Sequence, residues 1–503
     1  MFFRLTEYAA DGAHGAEPAP GKGLKMTTVD TPLDTMPEMA PSEVSEIWLG
    51  HLMSLLIPLT ALAYVWTGPH VWYNGLLFIA PLAIFTWMDS RPRYERRQPV
   101  ETLPSRPFDL LVYLLVAIHF LILAGLVRLF SEQSFFSIDT VMVFVLVGGN
   151  SGFSIITAHE LIHRQEPGQR LLGRLLLSTV LYEHFYTEHL RGHHVRVGTP
   201  EDPATAHFGE TYRSFWRRTV PAQFRSAWRL EARRLGDSEM SLFDPRVLGN
   251  RVLHGIAVGW GIAFAVLFFF GPVSFFAYVL QAFVAVRLLE AVNYFEHWGL
   301  KRKGSRVQVS DSWDTYSWFT YYGLIGLSRH ADHHAQPMRP YQQLRVREDA
   351  PVLPVGYLAL IDMVLGRNAD FMELATAELR ARGLGPFGSE SDDEIEIPVP
   401  RPSGAARFWA GLSPWLQWPV FLGGLLLLIS TGAALEGGQW GDLQWGDFQG
   451  IAIRNGAIMG IIAAVLAVRY WVETRVQNGW ISWGCGLVLL FGVGALSLPW
   501  LGV

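Results

Sequence analysis

The chain has 503 residues, of which half are hydrophobic and only 17% are charged, and its mean hydropathy is +0.22. This balance is typical of a polytopic membrane protein, and the net charge of −5 argues against a nucleic-acid-binding protein, which needs a basic surface. The single cysteine, Cys485, excludes a disulfide framework, a cysteine-based zinc site and an iron–sulfur centre within this chain.

The N-terminal segment, residues 1–47, is polar, with Pro, Gly, Asp and Glu scattered along it, which predicts a disordered segment. It contains no apolar stretch preceded by basic residues, so we expect no cleavable signal peptide. Met26 is a second candidate for the initiator methionine.

Apolar stretches dominate the rest of the chain, and a helix needs about 20 apolar residues to cross a bilayer. Six candidate spans precede residue 300, at residues 48–66, 71–88, 108–130, 138–157, 252–270 and 272–294. Three more follow at residues 415–435, 451–471 and 480–501. A shorter run at residues 171–182 contains Arg174 and is interpreted as interfacial or re-entrant. The pattern predicts an all-α polytopic membrane helix bundle.

The distribution of Lys and Arg predicts the orientation of these helices, because short cytoplasmic loops carry an excess of positive charge. The loop 89–107 contains five arginines, and the segment 158–250 is rich in arginine. The short loops near Gly68, Glu132 and Gly271 contain no Lys or Arg. We therefore expect three helical hairpins whose long connections lie in the cytoplasm.

These patterns divide the chain into four segments. The polar N-terminal segment, residues 1–47, precedes a membrane domain over residues 48–384, with a six-helix core and a cytoplasmic, histidine-rich cap. An acidic and proline-rich linker follows over residues 385–407. Residues 408–503 form a C-terminal extension with about three further transmembrane helices. This extension contains no histidine, and we assign it no role.

Nine of the sixteen histidines fall into four clusters at or just beyond the predicted cytoplasmic ends of helices. The clusters are HELIH (His159, His163), EHLRGHH (His189, His193, His194), NYFEHWGL (His297) and LSRHADHH (His330, His333, His334). Residues four apart share a helix face, which pairs His159 with His163 and His189 with His193. Neutral imidazole is a common metal ligand, and unpartnered ionisable groups at a membrane are costly. The four clusters together therefore predict a metal site.

The number of histidines bears on the number of metal ions. Nine imidazoles exceed the four ligands of a zinc site and the six that transition metals normally accept. They suit two ions with four or five ligands each. By ligand type alone, iron, copper and zinc all remain candidates.

Several neighbouring residues are candidates for orienting a ligand imidazole by hydrogen bonding. They are Glu160, Glu188, Glu296, Asp332 and His184. Ordinary ion pairs with arginines such as Arg191 or Arg329 are the alternative for the acids, and a structural role is the alternative for His184. We expect the other histidines to be packed or interfacial (His51, His119, His254) or solvated (His14, His70, His207).

Taken together, four motifs resemble those of the integral-membrane alkane hydroxylases (alkane 1-monooxygenases), within the histidine-box superfamily that includes fatty-acid desaturases and xylene monooxygenase. The motifs are HELIH, EHLRGHHVRVGTPEDPA, NYFEHWGL and LSRHADHHAQPMRPYQQL. The NYxEHxGL and RHxDHHxxxxRxYQxL patterns favour the hydroxylase branch, and the resemblance covers residues 48–367. Trp298 and Ile162 stand where the family usually has Tyr and Gly, and we expect no change of reaction from either.

The resemblance implies six transmembrane helices and two iron ions held by the nine clustered histidines. It also implies terminal hydroxylation of alkanes with O2 at the cytoplasmic face of the bacterial inner membrane. The alkane would enter from the bilayer. This chain has no cysteine set and no glycine-rich nucleotide motif, so we expect electrons to come from a separate rubredoxin or ferredoxin with its reductase. No catalytic residue beyond the metal ligands is expected.

Other functions remain open at this point. One is a desaturase or a hydroxylase of another hydrophobic substrate, such as a fatty acyl chain or an alkyl-aromatic. A more remote one is an intramembrane zinc protease that uses HELIH with Glu160 as the general base. A metal transporter would need polar residues along the spans, whereas here they gather at one end.

Overall fold

A computed structural model describes residues 44–388, except residues 92, 100–102 and 136. Apart from residues 134–138, the described residues belong to one compact unit. The N-terminal segment up to residue 43, the linker beyond residue 388 and the three late spans lie outside the described residues.

The described part of the chain is predominantly helical, with only two strands of two residues each, which confirms the predicted all-α class. Its α-helices are α1 (Val44–His51), α2 (Leu56–Thr67), α3 (Trp72–Leu77), α4 (Ile79–Asp89), α5 (Ser105–Ser131), α6 (Ile138–Met142), α7 (Gly148–Ile162), α8 (Pro167–Thr179), α9 (Phe185–Glu188), α10 (His194–Arg196), α11 (Tyr212–Arg234), α12 (Arg251–His297), α13 (Trp318–Gly323), α14 (His330–Ala335), α15 (Tyr357–Gly366) and α16 (Asn368–Arg382). Two π-helical segments, Val143–Val147 and His189–His193, and five 3-10 turns, Leu52–Leu55, Pro245–Gly249, Val309–Asp311, Tyr341–Gln343 and Gly385–Phe387, lie between them. Two short parallel strands, β1 (Asp314–Thr315) and β2 (Val352–Leu353), pair Asp314 with Val352.

Four helical stretches are long and apolar enough to cross a membrane: Val44–Thr67, Ser105–Ser131, Ile138–Ile162 and Arg251–His297. They coincide with five of the six predicted spans in the core, because the last stretch contains two of them. The remaining span, residues 71–88, is divided into α3 and α4 at Phe78. Pro81 explains the break, since its ring clashes with a helical carbonyl four residues earlier and it has no amide hydrogen to donate.

Helix α12 is a hairpin of two spans rather than one rod. A straight helix of 47 residues would be about 70 Å long, more than twice the thickness of a bilayer core. Gly271 interrupts the helix with φ 85° and ψ 176°, and the rings of Phe264 and Phe275, on either side of it, lie 6.2 Å apart. The two arms therefore run in opposite directions, as the sequence predicted, and Arg251 and His297 lie at the same end.

Helix α8 returns into the bundle after α7. The Thr179 hydroxyl at its C-terminus lies 2.9 Å from Nε2 of His119, and the Thr179 carbonyl accepts a hydrogen bond of 3.0 Å from Gln281. His119 is fourteen residues into α5, about 21 Å along its axis. These contacts place the end of α8 deep in the bundle and favour the re-entrant interpretation of this run over the interfacial one.

His70 was expected to be solvated, and this expectation is wrong. Its side chain is only 5% exposed, and its Nδ1 lies 2.7 Å from the buried carboxylate of Asp139. The Tyr64 hydroxyl donates to the same carboxylate. A buried carboxyl group such as that of Asp139 needs hydrogen-bond partners, which explains why the His70 ring packs against it instead of facing solvent.

Candidate metal centre

The nine clustered histidines converge at one place in the structure. They form two groups, each offering ligand atoms that lie within 4.8 Å of one another. The five-histidine group contains His159, His163, His189, His194 and His333, and the four-histidine group contains His193, His297, His330 and His334. The groups are adjacent, with the rings of His194 and His334 stacked 4.5 Å apart. All nine histidines that the sequence singled out are thus brought together.

The spacing of the ring nitrogens fits shared metal ions. In the five-histidine group, Nε2 of His189 lies 3.0 Å from Nε2 of both His163 and His194. In the four-histidine group, Nε2 of His330 lies 3.2 Å from that of His297 and 3.0 Å from that of His334. Two nitrogens bound at about 2.1 Å to one ion would lie about 3.0 Å apart at a right angle and about 3.4 Å apart at a tetrahedral angle.

Hydrogen bonding among the imidazoles does not account for this arrangement. A neutral imidazole has one N–H and one lone pair in the ring plane, so one Nε2 cannot satisfy two other Nε2 atoms at once. Within the described structure, Nε2 of His159 and Nε2 of His193 are buried with no hydrogen-bond partner at all. Buried polar atoms are normally paired. The unpartnered nitrogens fit bound metal ions better than an ion-free cluster.

The helices explain which histidine joins which group. His159 and His163 are four apart at the end of α7 and share the five-histidine group, as α-helical spacing predicts. His189 does not share a group with His193, four residues on, but with His194, five residues on. The segment His189–His193 is a π-helix, in which each amide bonds five residues back, so the fifth residue occupies the next turn.

Burial keeps these imidazoles in the form that binds metal. It lowers the pKa of His163, His189, His194, His330, His333 and His334 well below the usual value of 6.5, and the neighbouring histidines lower it further. A positive charge is disfavoured in this low-dielectric, crowded position. The rings are therefore neutral near pH 7, with a nitrogen lone pair available to an ion.

Comparison with known proteins adds to this geometry. Residues 138–358 match the fatty acid desaturase family. Alkane 1-monooxygenase 1 of Alcanivorax borkumensis is 33% identical over 321 residues, which cover 61% of this chain and 78% of that protein. Alkane 1-monooxygenase of Pseudomonas putida is 31% identical over 335 residues, covering 64% of this chain and 82% of that protein. Alkane 1-monooxygenase 1 of Pseudomonas aeruginosa is 41% identical over 220 residues, covering 42% and 56% respectively.

The chain belongs to the alkane 1-monooxygenase family. This confirms the resemblance drawn from the four histidine motifs. The desaturase match ends within the described part of the chain and includes all nine histidines.

In this alkane 1-monooxygenase family member, the acids next to the histidines have different partners. Oε2 of Glu296 lies 3.3 Å from Nε2 of His330, and its other oxygen accepts a hydrogen bond of 2.8 Å from the Tyr357 hydroxyl. Because this contact is with the candidate ligand nitrogen and not with Nδ1, Glu296 is positioned to contact an ion in the four-histidine group rather than to orient the His330 ring through Nδ1.

The other predicted acids bind arginines. Glu160 pairs with Arg164 at 2.6 Å, and Glu188 pairs with Arg196 at 2.6 Å. The carboxylate of Asp332 accepts from Arg339 at 2.6 Å and from Arg347 at 2.8 Å, and from the backbone amide of Arg345 at 2.9 Å. These contacts match the ion-pair alternative, although the arginines differ from the two named from sequence.

His184 lies outside both groups. Its ring packs against Tyr182 at 4.2 Å and Phe224 at 5.3 Å. These contacts fit the structural role that the sequence left open for it.

Trp298, one of the two departures from the family pattern, is fully buried, and its indole N–H donates a hydrogen bond of 3.0 Å to the Glu210 carbonyl. The larger ring is thus accommodated beside His297.

Asp202 is a site residue that sequence reasoning missed. Its carboxylate lies 2.9 Å from Nδ1 of His193 and accepts from the Thr205 hydroxyl at 2.6 Å. Although burial alone would raise the pKa of Asp202, the charge and hydrogen bond of His193 lower it to about 2. An ionised acceptor at Nδ1 fixes the ring so that Nε2 faces the ion. Asp202 lies in the GTPEDPA part of the second histidine motif, but it follows His193 by nine residues, so sequence proximity did not link the two.

Two further residues hold α14, which carries three of the histidines. Arg329 is fully buried, donates to the carbonyls of Leu344 at 2.5 Å and Arg97 at 2.9 Å, and lies 4.1 Å from the Tyr321 ring centre. Asp314 accepts from the backbone amide of Ala331 at 2.7 Å, and burial raises its pKa to about 8. Together they fix the start of the HADHH segment.

Proposed function

We propose that this chain is a non-haem di-iron monooxygenase that hydroxylates the terminal methyl group of alkanes with O2. The observation that carries the proposal is the convergence of nine histidines in two adjacent groups within a membrane protein of this family. Groups of five and four nitrogens suit two ions.

The substrate makes a redox metal necessary. An unactivated methyl C–H bond has no acidic proton and no leaving group, so acid–base side chains cannot cleave it. Bound iron would supply the oxidising chemistry with O2. The nine histidines would hold the irons, their hydrogen-bond partners such as Asp202 would orient them, and burial would keep water out of the site. An alkane partitions into the bilayer and would approach the site from between the spans.

Electrons would come from a separate carrier of the rubredoxin or ferredoxin type with its reductase, because this chain contains one cysteine and no nucleotide motif. The arginine-rich loops support a cytoplasmic active site at the bacterial inner membrane. The same positive surface would attract an acidic carrier protein.

The alternatives differ in product and metal. A desaturase or a hydroxylase of fatty acyl or alkyl-aromatic substrates would use the same centre, and the product decides among them. A zinc protease would need Glu160 to face a metal-bound water, whereas Glu160 pairs with Arg164. A zinc protease would also leave most of the nine clustered histidines without a role as metal ligands.

The proposal is tested on the full-length chain in membranes supplied with a rubredoxin, its reductase, O2 and octane. We expect about two irons per chain and 1-octanol as the product. His333→Ala and His297→Ala remove one ligand from each group and should each lower iron content and abolish hydroxylation. His207→Ala, an exposed histidine outside both groups, serves as the control and should keep both. One zinc and no iron in the active wild-type protein would refute the di-iron centre, and an alkene product would favour desaturation.

A further inference from the structure

A cavity of about 430 Å³ lies outside the metal centre, at the start of α8. Its walls come from α8, α9 and the first residue of α12. It is lined by Pro167, Arg170, Leu171, Arg174, Tyr186 and Arg251. Half of its lining residues are therefore arginines, although the chain as a whole is acidic.

The positive charge of this cavity is only partly balanced. Arg174 donates from Nε to Glu183 at 2.5 Å, and its guanidinium lies 4.9 Å from the Tyr186 ring centre, so it is held in place with its terminal amino groups available. No described carboxylate pairs with the side chain of Arg170 or Arg251. Glu183 pairs with Arg174, and Glu231, which attracts Arg251, is shared with Arg191 and Arg234, so the cavity keeps an excess of positive charge.

A nearby carboxylate is already occupied. Glu231 accepts from the backbone amide of Arg251 at 3.1 Å, but its oxygens are bound by the side chains of Arg191 at 2.6 Å and Arg234 at 2.8 Å. The guanidinium of Arg251 is attracted by Glu231 but makes no described salt bridge with it, so its N–H groups can donate to an external anion.

The cavity lies at the boundary between membrane and water. Arg251 is the first residue of a spanning helix, and Leu171 in the cavity wall is 56% exposed. In the segment just before α12, Leu242, Phe243 and Leu248 are 70%, 97% and 74% exposed. Large apolar side chains exposed next to the end of a span face the lipid interface. Lipid headgroups occupy the same level.

We propose that this cavity binds the phosphate group of an anionic phospholipid. Arg170 and Arg251 contact the phosphate, Arg174 is preoriented beside them, and an acyl chain follows the exposed Leu171. The planar guanidinium fork matches phosphate oxygens. Basic pockets at helix ends favour anionic headgroups. The cationic group of a zwitterionic lipid would be repelled by the excess positive charge of the cavity.

The site also has a connection to the metal centre along the chain. Tyr186, in the cavity wall, precedes His189 by three residues, and Glu183, the partner of Arg174, lies in the same segment. An occupant would hold the chain just before the π-helix that carries His189 and His193. The bound lipid thus stabilises the segment without contacting the metal.

The test uses the purified full-length protein in a mild neutral detergent, with bound lipid counted by native mass spectrometry. The probes are dioleoyl phosphatidylglycerol, dioleoyl phosphatidylcholine and inorganic phosphate. We expect phosphatidylglycerol to bind at least tenfold more tightly than phosphatidylcholine. The double variant R170Q/R251Q should lose at least tenfold in affinity for phosphatidylglycerol. R213Q/R217Q removes two exposed arginines of α11 that do not line the cavity and should bind as the wild type does.

Each outcome decides the proposal. Equal affinity of wild type and R170Q/R251Q for phosphatidylglycerol would overturn it. Competition by inorganic phosphate at the same concentration would overturn the lipid as the source and leave a soluble phosphate as the ligand. Unchanged lipid binding with a raised KM for the electron carrier in R170Q/R251Q would assign the cavity to carrier docking instead. The melting temperature without lipid should be nearly the same for all variants, since neither side chain makes a described hydrogen bond or salt bridge in the fold and the attraction of Arg251 to Glu231 is shared with Arg191 and Arg234.

Discussion

At the scale of single residues, Asp202 belongs to neither histidine group, yet it contacts a member of one of them, and we expect this contact to affect metal binding. It is fully buried, ionised, and contacts Nδ1 of His193 at 2.9 Å. We predict that Asp202→Asn keeps a similar shape but removes the charge that fixes the ring, and weakens metal binding by about 10- to 100-fold. The measurement is iron retained during titration with a chelator. The neighbouring exposed Glu201→Gln changes the same charge and should have no effect, and an Asp202→Asn protein that keeps its iron like this control would contradict the prediction.

The identity of the nine histidines was predictable, but their grouping was not. The nine histidines were recognisable in the sequence as clusters at helix ends, because solvent-exposed histidines are not expected to cluster on one side of a membrane. The pairing of His189 with His194 depends on a π-helix, which forms no distinctive pattern of apolar residues. Asp202 reaches His193 only because the chain turns back between them, and such a contact is set by tertiary structure.

At the scale of helices, the hairpin in α12 depends on one glycine. Gly271 has φ 85° and ψ 176°, a conformation that side chains with a Cβ avoid. We predict that Gly271→Ala lowers the free energy of unfolding by about 1–3 kcal/mol. The measurement is the melting temperature of the purified full-length protein.

A matched control lies in the same helix. Gly261 is helical and has open space where a Cβ would point, so Gly261→Ala should be neutral or slightly stabilising. Equal melting temperatures for the two variants would show that the turn at Gly271 does not require glycine.

The spans were predictable from hydropathy because a helix in lipid must pair all its backbone N–H and C=O groups internally and present apolar side chains to the lipid. The turn at Gly271 was also visible, since a glycine followed by Pro272 separates two apolar runs. The break at Phe78 was not predicted, because the run of residues 71–88 is long and apolar enough for one span in spite of Pro81. The return of α8 became clear only from the contacts of Thr179 with His119 and Gln281.

At the scale of the whole molecule, the candidate chemistry lies within residues 44–388. All nine histidines of the two groups fall between residues 159 and 334, and residues 408–503 contain no histidine. We predict that a chain of residues 26–388, expressed in membranes, retains the iron content of the full-length protein. His333→Ala in the shortened chain is the control for specific binding and should lower its iron.

The result separates two roles for the C-terminal extension. A shortened chain that inserts and binds iron but forms no alcohol would assign residues 408–503 to substrate entry or carrier docking. A shortened chain that fails to insert or to bind iron would contradict the proposed boundary.

The distribution of the metal ligands along the chain has a consequence for the lifetime of the protein. Ligands from positions 159 to 334 meet in two groups, and the five-histidine group alone joins three separate segments. A chain with one cysteine cannot form an internal disulfide, so bound ions are its available cross-links. Each ion closes long loops that would otherwise gain conformational freedom on opening. In the proposed di-iron enzyme, a cell short of iron would therefore hold a looser form of this protein, more exposed to membrane proteases, and iron supply would affect its abundance as well as its activity.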